Sequence, residues 1–116
     1  MPVARITADY AGDPNVPADE KWKLVFDAVI ESERVKQQHC FGVCTNLEAG
    51  SIKRWPFILR PAAKGSTEWI FDYGTDSGYP PEVTNITERD IRIGSYFTVG
   101  TGPEAGTYRI TQIDNL

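Results

Sequence analysis

Apolar and polar residues alternate along most of this chain, and the alternation is broken by clusters of glycine and proline. Residues 2–10 place Ala4, Ile6, Ala8 and Tyr10 on one side and Arg5, Thr7 and Asp9 on the other. That period of two is the signature of a half-buried strand. Residues 12–17 (Gly-Asp-Pro-Asn-Val-Pro) form a turn or loop, because two prolines cannot donate to a ladder.

Residues 18–38 carry two periods at once. Trp22, Val25, Phe26, Val29 and Ile30 fall at helical spacing and would make one apolar stripe, with Asp27 and Glu31 on the wet face. Pro17 followed by Ala18, Asp19 and Glu20 suits a helix start, since proline fits the first turn and acids complement the dipole. Trp22, Leu24, Phe26, Ala28 and Ile30 also alternate without a gap, as in a strand, and the β-branched residues favour that reading. Length and the absence of Gly or Pro from 18 to 41 favour a helix at about 18–37, with the strand as the alternative.

Beyond residue 39 the pattern is that of strands. Phe41, Val43 and Thr45 alternate, and residues 46–51 turn the chain. Residues 52–59 return with Ile52, Trp55, Phe57, Ile58 and Leu59, although Pro56 pushes this segment toward a sheet edge. After a loop at 60–66, Trp69, Phe71 and Tyr73 share a phase, and 74–81 reads as an exposed loop. Ile91, Ile93, Phe97 and Val99 then share one face, and Tyr108 and Ile110 another, across a glycine-rich hairpin loop at 100–106. The expected fold is α+β: an antiparallel sheet of five or six strands curling toward a small barrel, with one helix packed on it. An all-β barrel is the alternative, and residues 1–116 are read as a single domain.

Composition supports a packed core: 41% of residues are hydrophobic and 24% charged, near globular averages. No apolar run approaches the 18 or more residues of a spanning helix, and the N-terminal residues lack an apolar signal region. A cytoplasmic, non-membrane protein is expected. The net charge of −4 argues against general nucleic-acid binding, yet it is unevenly spread. Between Ala49 and Thr67 stand Lys53, Arg54, Arg60 and Lys64 with no acid.

Few residues offer catalytic or metal chemistry. His39, Cys40 and Cys44 lie close in sequence, but on a strand the two thiols are roughly 13 Å apart, with His39 on the opposite side. Neither a zinc site nor a Cys-His dyad follows, and two buried thiols are expected. The glycines at 100–106 lack the strand-to-helix context of a dinucleotide loop, and 72–83 lacks the ligands of a calcium loop. No cofactor and no metal is expected.

Two surfaces remain. Lys53, Arg54, Trp55, Arg60 and Lys64 interleave cations with an aromatic, which suits an acidic protein partner and, less well, single-stranded nucleic acid. Asp72, Tyr73, Asp76 and Tyr79 mix acids with aromatics and would line a ligand pocket if the sheet curls around one. The leading expectation is a non-catalytic module that contacts another protein or itself. A small ligand-binding barrel or enzyme is second, and a nucleic-acid binder third.

Overall fold

The computed structural model describes residues 3–12, 17–48, 50–102 and 105–116. The expected turn at 13–16 and the loop positions 49 and 103–104 lie outside the described residues, as do residues 1–2 and the side chains of Glu20 and Glu48. Within the described residues, nine strands make one antiparallel sheet. They are β1 (Val3–Gly12), β2 (Asp19–Glu31), β3 (Arg34–Val35), β4 (Cys40–Glu48), β5 (Ser51–Pro61), β6 (Trp69–Asp72), β7 (Glu82–Thr84), β8 (Tyr96–Val99) and β9 (Gly106–Asn115). β1 pairs with β9 on one side and β2 on the other, so eight strands close on themselves in the order β1-β9-β8-β7-β6-β5-β4-β2. Each neighbours the next along the chain, apart from the short β3, which extends β2 at one end. The result is an up-and-down barrel.

The α+β expectation is therefore corrected to its alternative, a nearly all-β closed barrel. The described residues contain no α-helix, only two 3-10 turns at Thr75–Ser77 and Ile86–Glu88. The segment expected as a helix is β2, the longest strand. Trp22, Leu24, Phe26, Ala28 and Ile30 point inward, and Val25 and Val29, which completed the helical stripe, lie half-buried on the outer wall. Partners decide between the two periods. β2 pairs with β1 from Val3↔Val29 to Ala8↔Leu24 and with β4 from Trp22↔Asn46 to Asp27↔Phe41, satisfying its backbone on both sides. On the outer face of the β1–β2 seam, Arg5 meets Asp27 and Asp9 meets Lys23 as cross-strand ion pairs at 2.8 and 2.7 Å. A tight turn follows, with Ser32 and Glu33 both at positive φ (51° and 64°), as a two-residue hairpin with this twist requires.

Inside the barrel, small residues face large ones. Ala8, Ala28, Cys40, Gly42 and Cys44 leave room for Phe26, Phe57, Phe71 and Phe97. Gly42 lies between Phe26 and Phe57 in register. A Cβ there would come within 2.3 Å of the Val25 carbonyl oxygen and 2.6 Å of the Phe57 ring, so only glycine fits.

One end of the barrel is packed. Thr84 closes β7, and Glu33 follows β2; those two strands stand opposite each other in the ring of eight. The chain from Asn85 to Ile91 must cross that end, and the Ile91 amide donates to the Glu33 carbonyl at 2.7 Å. Ile86 and Ile91 fill the space beneath it, and Arg34–Asp90 and Glu33–Arg92 ion pairs tie the crossing to the β2–β3 hairpin. The expected strand over 91–99 thus begins only at Tyr96. Pro56 does not mark a sheet edge as such, because β5 pairs with both β4 and β6. β6, however, reaches only residues 58–61, so Pro56 sits where β5 has β4 alone as neighbour. No helix among the described residues is long and apolar enough to cross a membrane.

Candidate functional site

At the other end of the barrel, packing among the described residues stops short of the rim and leaves a cavity of about 480 Å³. This is within the range of small-molecule sites. Nearly every strand of the ring contributes one inward side chain: Tyr10 from β1, Trp22 from β2, Cys44 from β4 and Trp55 from β5. Tyr73 stands one residue past β6, with Glu82 on β7 and Tyr108 on β9. Tyr79 and Pro80, from the loop that bridges β6 to β7, complete the lining. The alternation that buries Ile6 and Ala8 also aims Tyr10 inward, and the one that buries Leu24 and Phe26 aims Trp22.

The rings are in mutual contact. Trp22 and Trp55 stack at 5.3 Å with planes 19° apart, Trp55 meets Tyr79 edge-on at 86°, and Tyr79 meets Tyr73 at 64°. Tyr10 and Tyr108 meet at 67°. Tyr10 also lies over Gly106, where a Cβ would come within 2.7 Å of its ring. Beneath this layer, Phe57 touches Tyr73, and Phe97 stacks on Tyr108, so the cavity floor rests on the packed core.

Among the described lining residues Glu82 is the one charged group. Its Oε1 accepts a hydrogen bond from the Tyr73 hydroxyl at 2.8 Å, and it forms no ion pair with a described residue. Burial, reinforced by the Glu82 charge and that hydrogen bond, holds the Tyr73 hydroxyl well above the ordinary tyrosine range. Burial does the same for Tyr108, helped by Cys44 and Glu82. The Cys44 thiol is pushed up to about 12, first by burial and then by Glu82, with a hydrogen bond from Tyr108 opposing. Cys40, deeper in the core, is pushed up to about 11 by burial alone. Both thiols are inert at neutral pH in the folded chain.

The structure divides the residues singled out from sequence. Trp55, Tyr73 and Tyr79 line the cavity together, drawn from both candidate sets. Asp72 points to the outer wall, where Arg60 pairs with it at 2.9 Å, and Asp76 is exposed in the 3-10 turn of the rim loop. The basic residues are spread along the barrel. Lys53 and Arg54 are exposed on β5 near the cavity end, Arg60 is engaged by Asp72, and Lys64 follows β5 in the loop at the packed end. Tyr10, Trp22, Cys44, Pro80, Glu82 and Tyr108 escaped selection. Their signal was present for Tyr10, Trp22 and Tyr108, each continuing the inward phase of a strand at its rim end. Glu82 follows a double proline and belongs to a strand of three residues, too short for a period to show.

Neither a protein-family model, nor a curated protein, nor a solved structure matches this chain.

The buried hydroxyls and thiols predict alkaline behaviour. Cys40 and Cys44 stay protonated when folded but ionise near their ordinary 9.0 when unfolded. Their contribution to stability is complete below that pH and is lost as pH rises toward 11 and 12. Tyr73 and Tyr108 act in the same direction above their ordinary 10.0. In a spectrophotometric titration, two of the five tyrosines should ionise only as the near-ultraviolet dichroism of the fold disappears. Ionisation of all five in a chain that remains folded would contradict the buried placement.

Proposed function

We propose that this barrel binds a small organic molecule in the aromatic cavity at its unpacked end. The observation that carries the reading is the contrast between the two ends. One is filled by Ile86 and Ile91 beneath a crossing segment, and the other keeps about 480 Å³ walled by six aromatic side chains. An eight-stranded barrel is just wide enough for side chains to fill it or for one small ligand to occupy it. Here the first solution operates at one end and leaves room for the second at the other. Aromatic walls supply apolar contact area with little conformational entropy to lose on binding. The inert thiols and the lack of a histidine in the lining favour binding over nucleophilic catalysis.

A second reading, self-assembly or protein contact, is favoured by the outer wall rather than by the basic segment. Val25, Val43 and Pro56 are cross-strand neighbours there, and Phe41, 64% exposed, lies beside Ile58. This apolar strip across three strands is what a partner would cover. Sedimentation at micromolar concentration separates the readings. A dimer that dissociates in Phe41→Glu supports assembly, and a monomer unaffected by the change removes it.

The cavity reading is tested with N-phenyl-1-naphthylamine, a neutral apolar dye that brightens when shielded from water. Saturable binding by the parent is expected, with a rise in melting temperature that reflects about 2.7 kcal/mol at a hundredfold excess over Kd. Trp55→Leu, which keeps the position apolar but removes the stack with Trp22, should weaken binding by about tenfold. Tyr79→Ala, at a side chain already 53% exposed, should weaken binding with little change in stability. No saturable signal from the parent, or equal binding by all three, would count against the cavity as the site.

A further inference from the structure

Taking the cavity to be a ligand site, we propose that its ligand is an organic cation, with a substituted ammonium group seated against Glu82 inside the aromatic walls. Three observations converge on this chemistry. The first is charge. Glu82 is the one carboxylate among the described lining residues, no described cation pairs with it, and among the described residues its hydrogen bond is the one Oε1 accepts from the Tyr73 hydroxyl. Described cations are employed or placed elsewhere: Lys23 pairs with Asp9, Arg60 with Asp72 and Arg92 with Glu33, Arg89 donates to the Tyr96 carbonyl, and Arg54 is exposed on the outer wall. A neutral apolar ligand would strip water from this carboxylate and give nothing back, and an anion would be repelled. A cation gains from a charge that no described residue pairs with.

The second is the nature of the walls. Ring faces carry negative quadrupole potential, and Trp is the most effective of them for holding a cation. Trp55, Tyr73 and Tyr79 are in ring contact one after another, and Tyr73 is itself bonded to Glu82, so the carboxylate stands at the hydroxyl edge of that aromatic group, within the same cavity. The third is shape. Trp55 meets Tyr79 at 86°, and Tyr73 meets Tyr79 at 64°. Rings at steep angles make the corner of a box, which suits a compact tetrahedral head. Two parallel slabs would instead suit a flat one. The volume of about 480 Å³ exceeds what a methylated ammonium fills, leaving space for an apolar tail against Trp22 and Tyr10.

The test compares phenyltrimethylammonium with tert-butylbenzene, its neutral carbon isostere, and with 4-tert-butylbenzoate, each displacing N-phenyl-1-naphthylamine. Parent protein should bind the ammonium about tenfold or more tightly than the isostere, and the benzoate weakest. Glu82→Gln keeps an oxygen to accept from Tyr73, so the fold should persist, and the dye and tert-butylbenzene, no longer stripping water from a carboxylate, should bind at least as tightly as they do to the parent. The ammonium preference should fall to about twofold or less. Equal binding of ammonium and isostere by the parent, or a preference that survives Glu82→Gln, overturns the cation while the cavity reading stands. Failure of the parent to bind the dye at all overturns both.

Discussion

β1 is hydrogen-bonded on both of its edges, to β2 and to β9, and through it the sheet becomes a closed wall. Closure removes the exposed edges that an open sheet of this length would have to protect. It also commits every second residue of eight strands to one enclosed space. The inward set must then fill a cylinder whose width is fixed by strand number. Small residues on β1, β2 and β4 face phenylalanines from β2, β5, β6 and β8, and Gly42 is the tightest point of that fit. The pairs Arg5–Asp27 and Asp9–Lys23 lie outside the closing seam, so charge stays in water while the apolar face is sealed.

The asymmetry of the two ends follows from the connections. The chain between β7 and β8 crosses the barrel and contributes Ile86 and Ile91 to the core. The loop between β6 and β7 instead stands at the rim and contributes Tyr79 and Pro80 to a wall. Tyrosine and tryptophan occupy the rim ends of the inward phases, where phenylalanine and aliphatic residues occupy the middle. The Tyr73 hydroxyl donating to Glu82 places polar atoms in an otherwise apolar layer, and no buried side-chain polar atom lacks a partner among the described residues.

Much of the fold could be read from alternation alone. β1, β4, β5, β6 and β9 fall where their patterns put them, because each alternates over at least two inward positions and is bounded by turn residues. β2 was ambiguous for a physical reason. Val25 and Val29 are apolar on the outer wall, which superimposes a helical stripe on a strand. The turn that ends β2 uses Ser32 and Glu33 in the left-handed region, without the Asn or Gly that announces such a turn. β7 is too short to show a period, and 91–95 alternates although it is a crossing segment whose apolar residue plugs the end. For the cavity, Trp55, Tyr73 and Tyr79 were visible as candidates, but in two separate sets. Only closure brings β5 and the β6–β7 loop together with Tyr10, Trp22 and Tyr108, and that is a long-range property no local pattern encodes.

The chain's three tryptophans make a direct test of where a ligand sits, because Trp22 and Trp55 line the cavity while Trp69 is buried toward the packed end. The decisive measurement is fluorine NMR of protein labelled with 5-fluorotryptophan, titrated with N-phenyl-1-naphthylamine, with each resonance assigned by a Trp→Phe variant. The cavity account predicts that the Trp22 and Trp55 resonances shift together and saturate while that of Trp69 stays in place. Saturable binding that leaves Trp22 and Trp55 unmoved, or that moves Trp69 alone, would contradict it.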